Sequence, residues 1–204
     1  MKKNYKEKKE VKVILLGESG VGKTCIIERY MSNKFNSNLP STLCSAYSIK
    51  KIIRDNTLYE INICDTTGQE KYHSVTNLFV KGSNIVILVY SIDSVTSFNN
   101  LEYWYSMVVD NLKDTEYILA IIGNKTDLFD EEVVSEEEGK RFAESKNAKF
   151  QLVSAKEDPD GINKLFDNLF EEIIQNTHIN LLKKDDSYLI SRSSTDTEKK
   201  SSCC

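Results

Sequence analysis

Residues Gly17-Glu18-Ser19-Gly20-Val21-Gly22-Lys23-Thr24 decide the fold of this chain, because they fit the pattern G-x-x-x-x-G-K-[ST] in the context that the pattern requires. The apolar residues 11–16 precede them and predict a buried strand, and residues 25–31 are apolar at helical spacing. A strand, a glycine-rich turn and a helix N-terminus form an anion cradle, because glycine lets successive N–H groups point inward and the helix dipole adds positive potential. The stretch therefore predicts a nucleotide-phosphate site, with Lys23 reaching the β- and γ-phosphates and the Thr24 hydroxyl ligating Mg²⁺.

Two later motifs indicate which nucleotide is bound. Asn124-Lys125-Thr126-Asp127 ends the apolar segment 117–123, and one carboxylate at Asp127 can accept from both the ring N–H and the amine of guanine. Adenine lacks that donor pair and would leave the carboxylate unpaired, at a cost of roughly 1–3 kcal/mol. Ser154-Ala155-Lys156 follows the strand-like residues 150–153 and can offer a backbone N–H to the guanine carbonyl. Each motif alone is typical of an ordinary polar turn, but three in order, each after a predicted strand, favour guanine.

With Asp65-Thr66-Thr67-Gly68-Gln69-Glu70, these motifs resemble those of a small GTPase of the Ras superfamily over about residues 10–178. The resemblance implies an α/β fold with a single P-loop GTPase domain. Its sheet would have six strands, mostly parallel with one antiparallel edge pair, and five flanking helices. Residues 1–9 are expected to be a flexible N-terminus, and residues 179–204 a hypervariable tail.

The hydrophobic pattern agrees with that architecture. Strands are predicted at residues 11–16, 47–53, 58–65, 85–91, 117–124 and 149–154. Helices are predicted after the phosphate loop and at about residues 76–81, 94–111, 135–146 and 162–176. Asp55-Asn56 predicts a hairpin turn between the second and third strands. Strands that alternate with helices place ligands at the carboxyl ends of the strands, where all the motifs fall.

Composition excludes several other classes of protein. A chain of 204 residues with 40% hydrophobic content suits one sizeable core, and a net charge of −4 does not favour nucleic-acid binding. No segment is apolar for long enough to span a membrane, no signal peptide opens the chain, and Lys2 at position 2 excludes N-myristoylation. Cys25, Cys44 and Cys64 stand singly, without metal-site spacing, as is typical of reduced cytosolic thiols.

The C-terminal end changes the expectation of a purely cytosolic protein. Residues 182–204 lose the apolar periodicity and are expected to be disordered. They finish in Cys203-Cys204, which is not a C-a-a-X box and resembles the doubly geranylgeranylated end of Rab GTPases. Two lipids make physical sense because one chain anchors only marginally. The alternative is a coincidental cysteine pair. The resemblance implies lipidation of both residues and attachment to the cytoplasmic face of an intracellular membrane.

Other branches of the superfamily fit less well. Residues 128–153 hold only one helix and one strand, without the helical insertion of Rho proteins. An Arf protein would need an N-terminal glycine, and Ran ends acidic and unlipidated. The Rab resemblance implies a monomer in vesicle transport whose partners are an exchange factor, a GTPase-activating protein, a GDP-dissociation inhibitor and effectors.

The resemblance also implies roles for individual residues. Lys23 and Gln69 would be catalytic, with Gln69 orienting the attacking water. The Mg²⁺ ligands would be Thr24, Thr42 and, through a water, Asp65. Nucleotide contacts are implied for the following residues: Ser19, Gly20, Val21, Gly22, Lys23, Thr24, Cys25, Phe35, Thr42, Gly68, Asn124, Lys125, Asp127, Ser154, Ala155 and Lys156.

Several residues depart from the Rab pattern, in the segment 42–47 and near Gly68. Cys44 replaces a glycine, Cys64 stands where Rabs usually have tryptophan, and Thr67 replaces an alanine beside Gly68. The sequence predicts a slowly hydrolysing GTP switch whose segments 36–47 and 68–78 are ordered by the γ-phosphate and Mg²⁺. Thr67 and Cys44 favour an alternative, a hydrolysis-poor GTP-binding scaffold that acts by binding alone. A P-loop kinase is a second alternative, but it would not need residues 124–127.

Overall fold

A computed structural model describes residues 5–37, 42, 46–66, 73–176, 178–179 and 181–183. Seven strands lie in this part of the chain: β1 (Glu7–Leu16), β2 (Ala46–Arg54), β3 (Thr57–Asp65), β4 (Ile85–Ser91), β5 (Ile118–Asn124), β6 (Lys149–Leu152) and β7 (Leu182–Lys183). Six α-helices accompany them: α1 (Lys23–Ser32), α2 (His73–Val80), α3 (Val95–Asn99), α4 (Leu101–Asn111), α5 (Glu136–Ser145) and α6 (Pro159–Gln175). A 3₁₀ segment, Thr126–Glu131, follows β5.

Six strands form the sheet in the order β2-β3-β1-β4-β5-β6. All neighbours are parallel except β2 and β3, which form an antiparallel hairpin from Arg54↔Thr57 to Ala46↔Asp65. Asp55 and Asn56 make its two-residue turn with φ of 50° and 59°, the left-handed conformation that such a turn requires. The predicted six-stranded, mostly parallel sheet with its antiparallel edge pair is confirmed, and β7 adds a short antiparallel pairing with β1.

Helices cover both faces of the sheet, because the inner strands are apolar on both sides. In β1, Val11, Val13 and Leu15 pack toward α1 and α6, whereas Ile14 and Leu16 pack toward α4 and α5. This three-layer arrangement buries strands β4 and β5 along their whole length. No helix within the described residues is long and apolar enough to cross a membrane.

The start of β1 differs from the prediction. The strand begins at Glu7, so residues 7–9, expected to be flexible, pair in parallel with β3. β4 begins opposite Val13, which leaves the earlier part of β1 without a neighbour on that side. Leu182 and Lys183 pair there antiparallel to Glu10 and Lys9, although residues 182–204 were expected to be disordered. The early part of β1 is an open edge, where a further strand can pair through backbone hydrogen bonds. The apolar pattern of residues 182–204 does not reveal this pairing, because it depends on backbone groups.

The helix predicted over residues 94–111 is divided at Asn100 into α3 and α4, which makes six α-helices where five were predicted. Asn100 has φ −76° and ψ −5°, and its amide donates to the side chain of Glu18 at 3.1 Å. No glycine or proline interrupts this stretch, but Asn99 and Asn100 are weak helix formers, and Asn100 also contacts Glu18 from outside the helix.

Candidate nucleotide-binding site

A cavity of about 330 Å³ opens at the carboxyl ends of β1, β3, β5 and β6. Its volume lies within the range of small-molecule sites. The residues that line it are Ser19, Gly20, Gly22, Lys23, Thr24, Cys25, Phe35, Asn36, Ser37, Thr42, Thr66, Asn124, Lys125, Asp127, Ala155 and Lys156. Thirteen of these were predicted as nucleotide contacts, whereas Asn36, Ser37 and Thr66 were not.

The glycine-rich loop approaches its neighbours too closely for side chains. A Cβ at Gly17 would lie 2.1 Å from the Val89 carbonyl oxygen, and one at Gly22 would lie 2.3 Å from the Asn124 Nδ2. Both glycines also have positive φ, of 143° and 96°. The sequence places glycine where the loop must bend against β4 and β5, and this bend delivers the N-terminus of α1 to the cavity.

Lys23, the first residue of α1, is 5% exposed. Its Nζ donates to the carbonyl oxygens of Gly17 at 2.7 Å and Glu18 at 2.8 Å. Burial lowers the pKa of Lys23 to about 8, against the opposing effect of the Asp65 and Glu18 charges. A desolvated ammonium with a third donor left over is chemically suited to an anion such as a phosphate.

Three side chains whose oxygen atoms can ligate a metal lie together beside Lys23. The Thr24 hydroxyl donates to Asp65 Oδ2 at 2.8 Å and lies 2.8 Å from the hydroxyl of Thr42. The other carboxylate oxygen of Asp65 is buried and has no hydrogen-bond partner among the described residues. Burial raises the pKa of Asp65, although the Thr24 hydroxyl and the Lys23 charge oppose the shift. An orphaned carboxylate oxygen beside two hydroxyls fits Mg²⁺, which prefers oxygen ligands and shares them with phosphate and water.

At the opposite end of the cavity, Asn124 ties two loops together. Its Nδ2 donates to the Val21 carbonyl at 2.8 Å, and its Oδ1 accepts from the Ala155 N–H at 3.1 Å. Asp127 Oδ1 accepts from the Ser154 hydroxyl at 2.5 Å, and Oδ2 lies 3.5 Å from the Lys156 Nζ. The predicted guanine motifs therefore meet at one place. Val21 and Ser154 do not line the cavity but brace residues that do.

Lys125 and Phe35 lie at the same end. Lys125 has φ 69°, lines the cavity, and places its Nζ 3.6 Å from Asp93. Phe35 lies beyond α1, with the Arg29 guanidinium 5.9 Å from its ring centroid. Cys25 is also in the lining, and burial raises the pKa of its thiol, which favours the neutral form.

Arg29 is a structural residue of the site that the sequence did not reveal. Its Nε donates to the Ala155 carbonyl at 2.8 Å and its Nη2 to the Lys156 carbonyl at 2.9 Å. An arginine on a helix next to a glutamate is typical of a solvated face, so its sequence context gives no signal. The contact fixes the loop after β6 against α1.

Several predicted residues lie outside the described part of the chain. These are Gly68 and Gln69 of the site, the lipidation candidates Cys203 and Cys204, and the divergent Cys44 and Thr67. Thr66, which directly precedes Thr67, is 1% exposed, and its hydroxyl donates to the Leu15 carbonyl at 2.6 Å. This bond fixes the end of β3 against β1.

Comparison with known proteins agrees with the geometry. The model of the Ras family matches residues 12–175. The chain is 38% identical to the mouse Ras-related protein Rab-17 over 164 residues, covering 80% of this chain and 76% of that protein. It is 39% identical to the Dictyostelium discoideum Ras-related protein Rab-11B, with coverage of 79% and 73%. It is 30% identical to the Saccharomyces cerevisiae Ras-related protein SEC4, with coverage of 95% and 91%. The chain belongs to the Ras family, as a divergent, Rab-like small GTPase that binds GTP.

Proposed function

We propose that this protein is a slow GTPase switch that is anchored to the cytoplasmic face of an intracellular membrane and recruits effectors in vesicle transport. Residues 10–178 would form the monomeric GTPase domain, and residues 179–204 the tail. One observation carries the proposal: a single cavity is lined by the buried Lys23, by the threonines of the Thr24–Asp65–Thr42 group and by Asp127. We call the first two its phosphate end, and Asn124, Asp127, Ser154 and Ala155 its base end.

At the base end, Asp127 would accept from the ring N–H and the amine of guanine. Its side chain is 7% exposed, so an unsatisfied carboxylate there would carry most of its desolvation cost. The Ala155 N–H, which donates to Asn124, would be shared with the guanine carbonyl. The stem of Lys125, held toward Asp93, would lie against the face of the base. Together these groups would select guanine over adenine.

At the phosphate end, Lys23 would exchange its loop carbonyls for phosphate oxygens and stabilise the charge that develops during transfer. Thr24, Thr42 and Asp65 would hold Mg²⁺, which when bound neutralises charge on the β- and γ-phosphates. Gly68 would donate its N–H to the γ-phosphate, and Gln69 would orient the attacking water. No arginine is among the described residues that line the cavity, which supports slow hydrolysis without an activating protein.

Nucleotide competition and single-turnover hydrolysis test this proposal. GTP should displace a bound fluorescent GDP analogue, whereas ATP at the same concentration should not. Hydrolysis should be slow and should require Mg²⁺. Tight GTP binding with no measurable turnover would favour the alternative scaffold, for which Thr67 and Cys44 give the reason. Displacement by ATP would contradict the base-end assignment.

The proposed anchor is tested separately. Removing Cys203 and Cys204 should leave GTP binding unchanged and should abolish membrane association in cell fractions, because the two lipids are lost. Replacing one cysteine alone should weaken the association partially. Membrane binding by the variant that lacks both residues would contradict the lipid-anchor proposal.

A further inference from the structure

Glu18 places a carboxylate inside the phosphate-binding loop, where a negative charge opposes the binding of an anion. In the structure this side chain accepts hydrogen bonds from two residues outside the loop. Its Oε1 accepts from the Asn100 Nδ2 at 3.1 Å and from the Trp104 Nε1 at 3.3 Å. Asn100 lies at the break between α3 and α4, and Trp104 lies in the first turn of α4.

The two donors are well suited to hold the loop. Trp104 is 1% exposed and packs in the core between the sheet and α4, so its indole N–H needs an acceptor inside the protein. Asn100 stands at the break between α3 and α4, where its side chain is available to a neighbouring element. One carboxylate oxygen therefore connects the loop to two points, Trp104 on α4 and Asn100 at the junction of α3 and α4.

The same residue also contacts Lys23. The backbone carbonyl of Glu18 accepts from the Lys23 Nζ at 2.8 Å, while the Glu18 side chain contacts α4. A phosphate that draws the Lys23 ammonium away from this carbonyl acts directly on the residue that holds Trp104. Two hydrogen bonds, both made by Glu18, therefore separate the Lys23 ammonium from α4.

We infer that Glu18 is a positioning residue that fixes the phosphate loop through Trp104 and Asn100 and makes the Trp104 environment sensitive to bound phosphate. The inference rests on the proposed phosphate-binding role of the loop. It adds a nucleotide-sensitive element on α4, separate from the two segments expected to respond to the γ-phosphate. The Tyr103 ring packs edge-on against Trp104 at 5.4 Å and is 44% exposed, so the element reaches the surface.

A double-mutant cycle on GDP release tests the positioning role. Glu18→Ala and Trp104→Phe should each accelerate release of a fluorescent GDP analogue by about tenfold, as expected for loss of a charge-assisted hydrogen bond. The double variant should be no faster than Glu18→Ala alone, because that change already removes the contact with Trp104. Glu18→Gln keeps an acceptor oxygen and should restore release to within about threefold of the wild-type rate. Should Trp104→Phe not fold, Asn100→Ala takes its place in the cycle.

Intrinsic fluorescence is a second measurement. If Glu18 had a purely structural role, replacing it would not abolish the change of tryptophan emission on GDP binding. Trp104 is the only tryptophan of the chain, so tryptophan emission reports the environment of this one side chain. Emission should change when GDP binds to the wild-type protein and should not respond in Glu18→Ala. The control Glu116→Ala removes a carboxylate from the exposed loop before β5 and should behave as wild type in both assays.

The outcomes separate this inference from the proposed function. Independent, multiplicative effects of Glu18→Ala and Trp104→Phe on release, or an unchanged release rate in Glu18→Ala, would overturn the positioning role while leaving GTP binding intact. A Trp104 signal that responds to GDP equally in Glu18→Ala would overturn the link to α4. Failure of the wild-type protein to bind GDP would overturn the proposed function itself, and this inference with it.

Discussion

At the base end of the cavity the polar side chains hold one another, whereas at the phosphate end a buried ammonium and a buried carboxylate retain unused bonding capacity. Asn124 is bonded on both sides of its amide, and Asp127 accepts from Ser154. By contrast, Lys23 uses two of its three donors and one oxygen of Asp65 has no partner in the described part of the chain. The base end is therefore organised by the protein itself, and the phosphate end requires a ligand to become fully satisfied.

This difference has a functional consequence. A site with its own hydrogen bonds discriminates by geometry, because a wrong ligand leaves fixed polar groups unpaired. A site with unfilled charges binds by electrostatics, and its affinity depends on metal and on pH. We therefore expect substitutions at the base end to change which nucleotide binds, and conditions in solution to act at the phosphate end.

The largest effect is expected for Asp127→Asn. Replacing a double acceptor by an amide should lower GTP affinity by at least about a hundredfold, while affinity for xanthosine triphosphate should rise because its ring edge matches the amide. Competition binding with both nucleotides measures the change. Asp130→Asn removes the same charge three residues later, at an exposed position, and should have no effect. Wild-type GTP affinity in Asp127→Asn would contradict the role given to this carboxylate.

The next prediction concerns the metal. In the wild-type protein, removing Mg²⁺ with a chelator should accelerate GDP release on the order of tens of times, because the β-phosphate loses its counter-charge. Asp65→Asn should release GDP rapidly with or without chelator, since the neutral amide replaces the carboxylate beside Thr24. Asp130→Asn again serves as the control and should keep the wild-type response. A chelator effect of normal size in Asp65→Asn would exclude Asp65 from the metal site.

Arg29→Ala tests whether the base end depends on its brace. Losing the two bonds to the Ala155 and Lys156 carbonyls should accelerate GDP release about tenfold. The response to chelator should stay as in the wild type, because the phosphate end is untouched. Arg141→Ala, on the outer face of α5, is the matched control. An altered chelator response in Arg29→Ala would show that the two ends are not independent.

The residues that converge on the cavity were predictable because they follow strands. Parallel strands bring their carboxyl ends to one edge of a sheet, so motifs after β1, β3, β5 and β6 had to meet once the strands were identified. The strand β4, for instance, was predicted with its observed bounds, Ile85–Ser91, because it is apolar throughout.

The contacts that were missed depend on neighbours far away in the chain. Arg29 and Ala155 are 126 residues apart, and nothing in a helix sequence announces such a bond. Asn100 at the α3–α4 break contacts Glu18, 82 residues away, and β7 pairs with the part of β1 that β4 does not reach. Local pattern determines where an element can form, whereas these features depend on which groups the fold leaves without a partner.

A smaller effect is expected from pH. Burial lowers the pKa of Lys23 to about 8 in the folded protein, from an ordinary value of 10.5 that applies when the chain is unfolded. Between these values the unfolded chain binds more protons, so this group makes the ligand-free protein more stable as pH rises. GDP requires the protonated form, so its affinity should fall about fivefold from pH 8 to pH 9, since binding must then take up a proton. Lys23→Arg keeps its charge over this range and should give a flat profile. An equally steep fall in Lys23→Arg would assign the titration to another group.

The smallest expected effect concerns Thr67, next to the glycine whose N–H is proposed to meet the γ-phosphate. A β-branched side chain is stiffer and bulkier than the alanine usual in Rabs, and it stands two residues before Gln69. A water-positioning group displaced by about an ångström can cost up to about a hundredfold in rate, but a loop that partly adjusts would lose much less. Thr67→Ala should therefore raise single-turnover GTP hydrolysis by about threefold. GDP affinity should not change, because GDP lacks the γ-phosphate. Thr57→Ala, in the hairpin at the opposite end of β3, is the matched control and should hydrolyse GTP at the wild-type rate. Equal rates for Thr67→Ala and the wild type would mean that Thr67 does not limit hydrolysis, and that the slow step depends on residues shared with other Rabs.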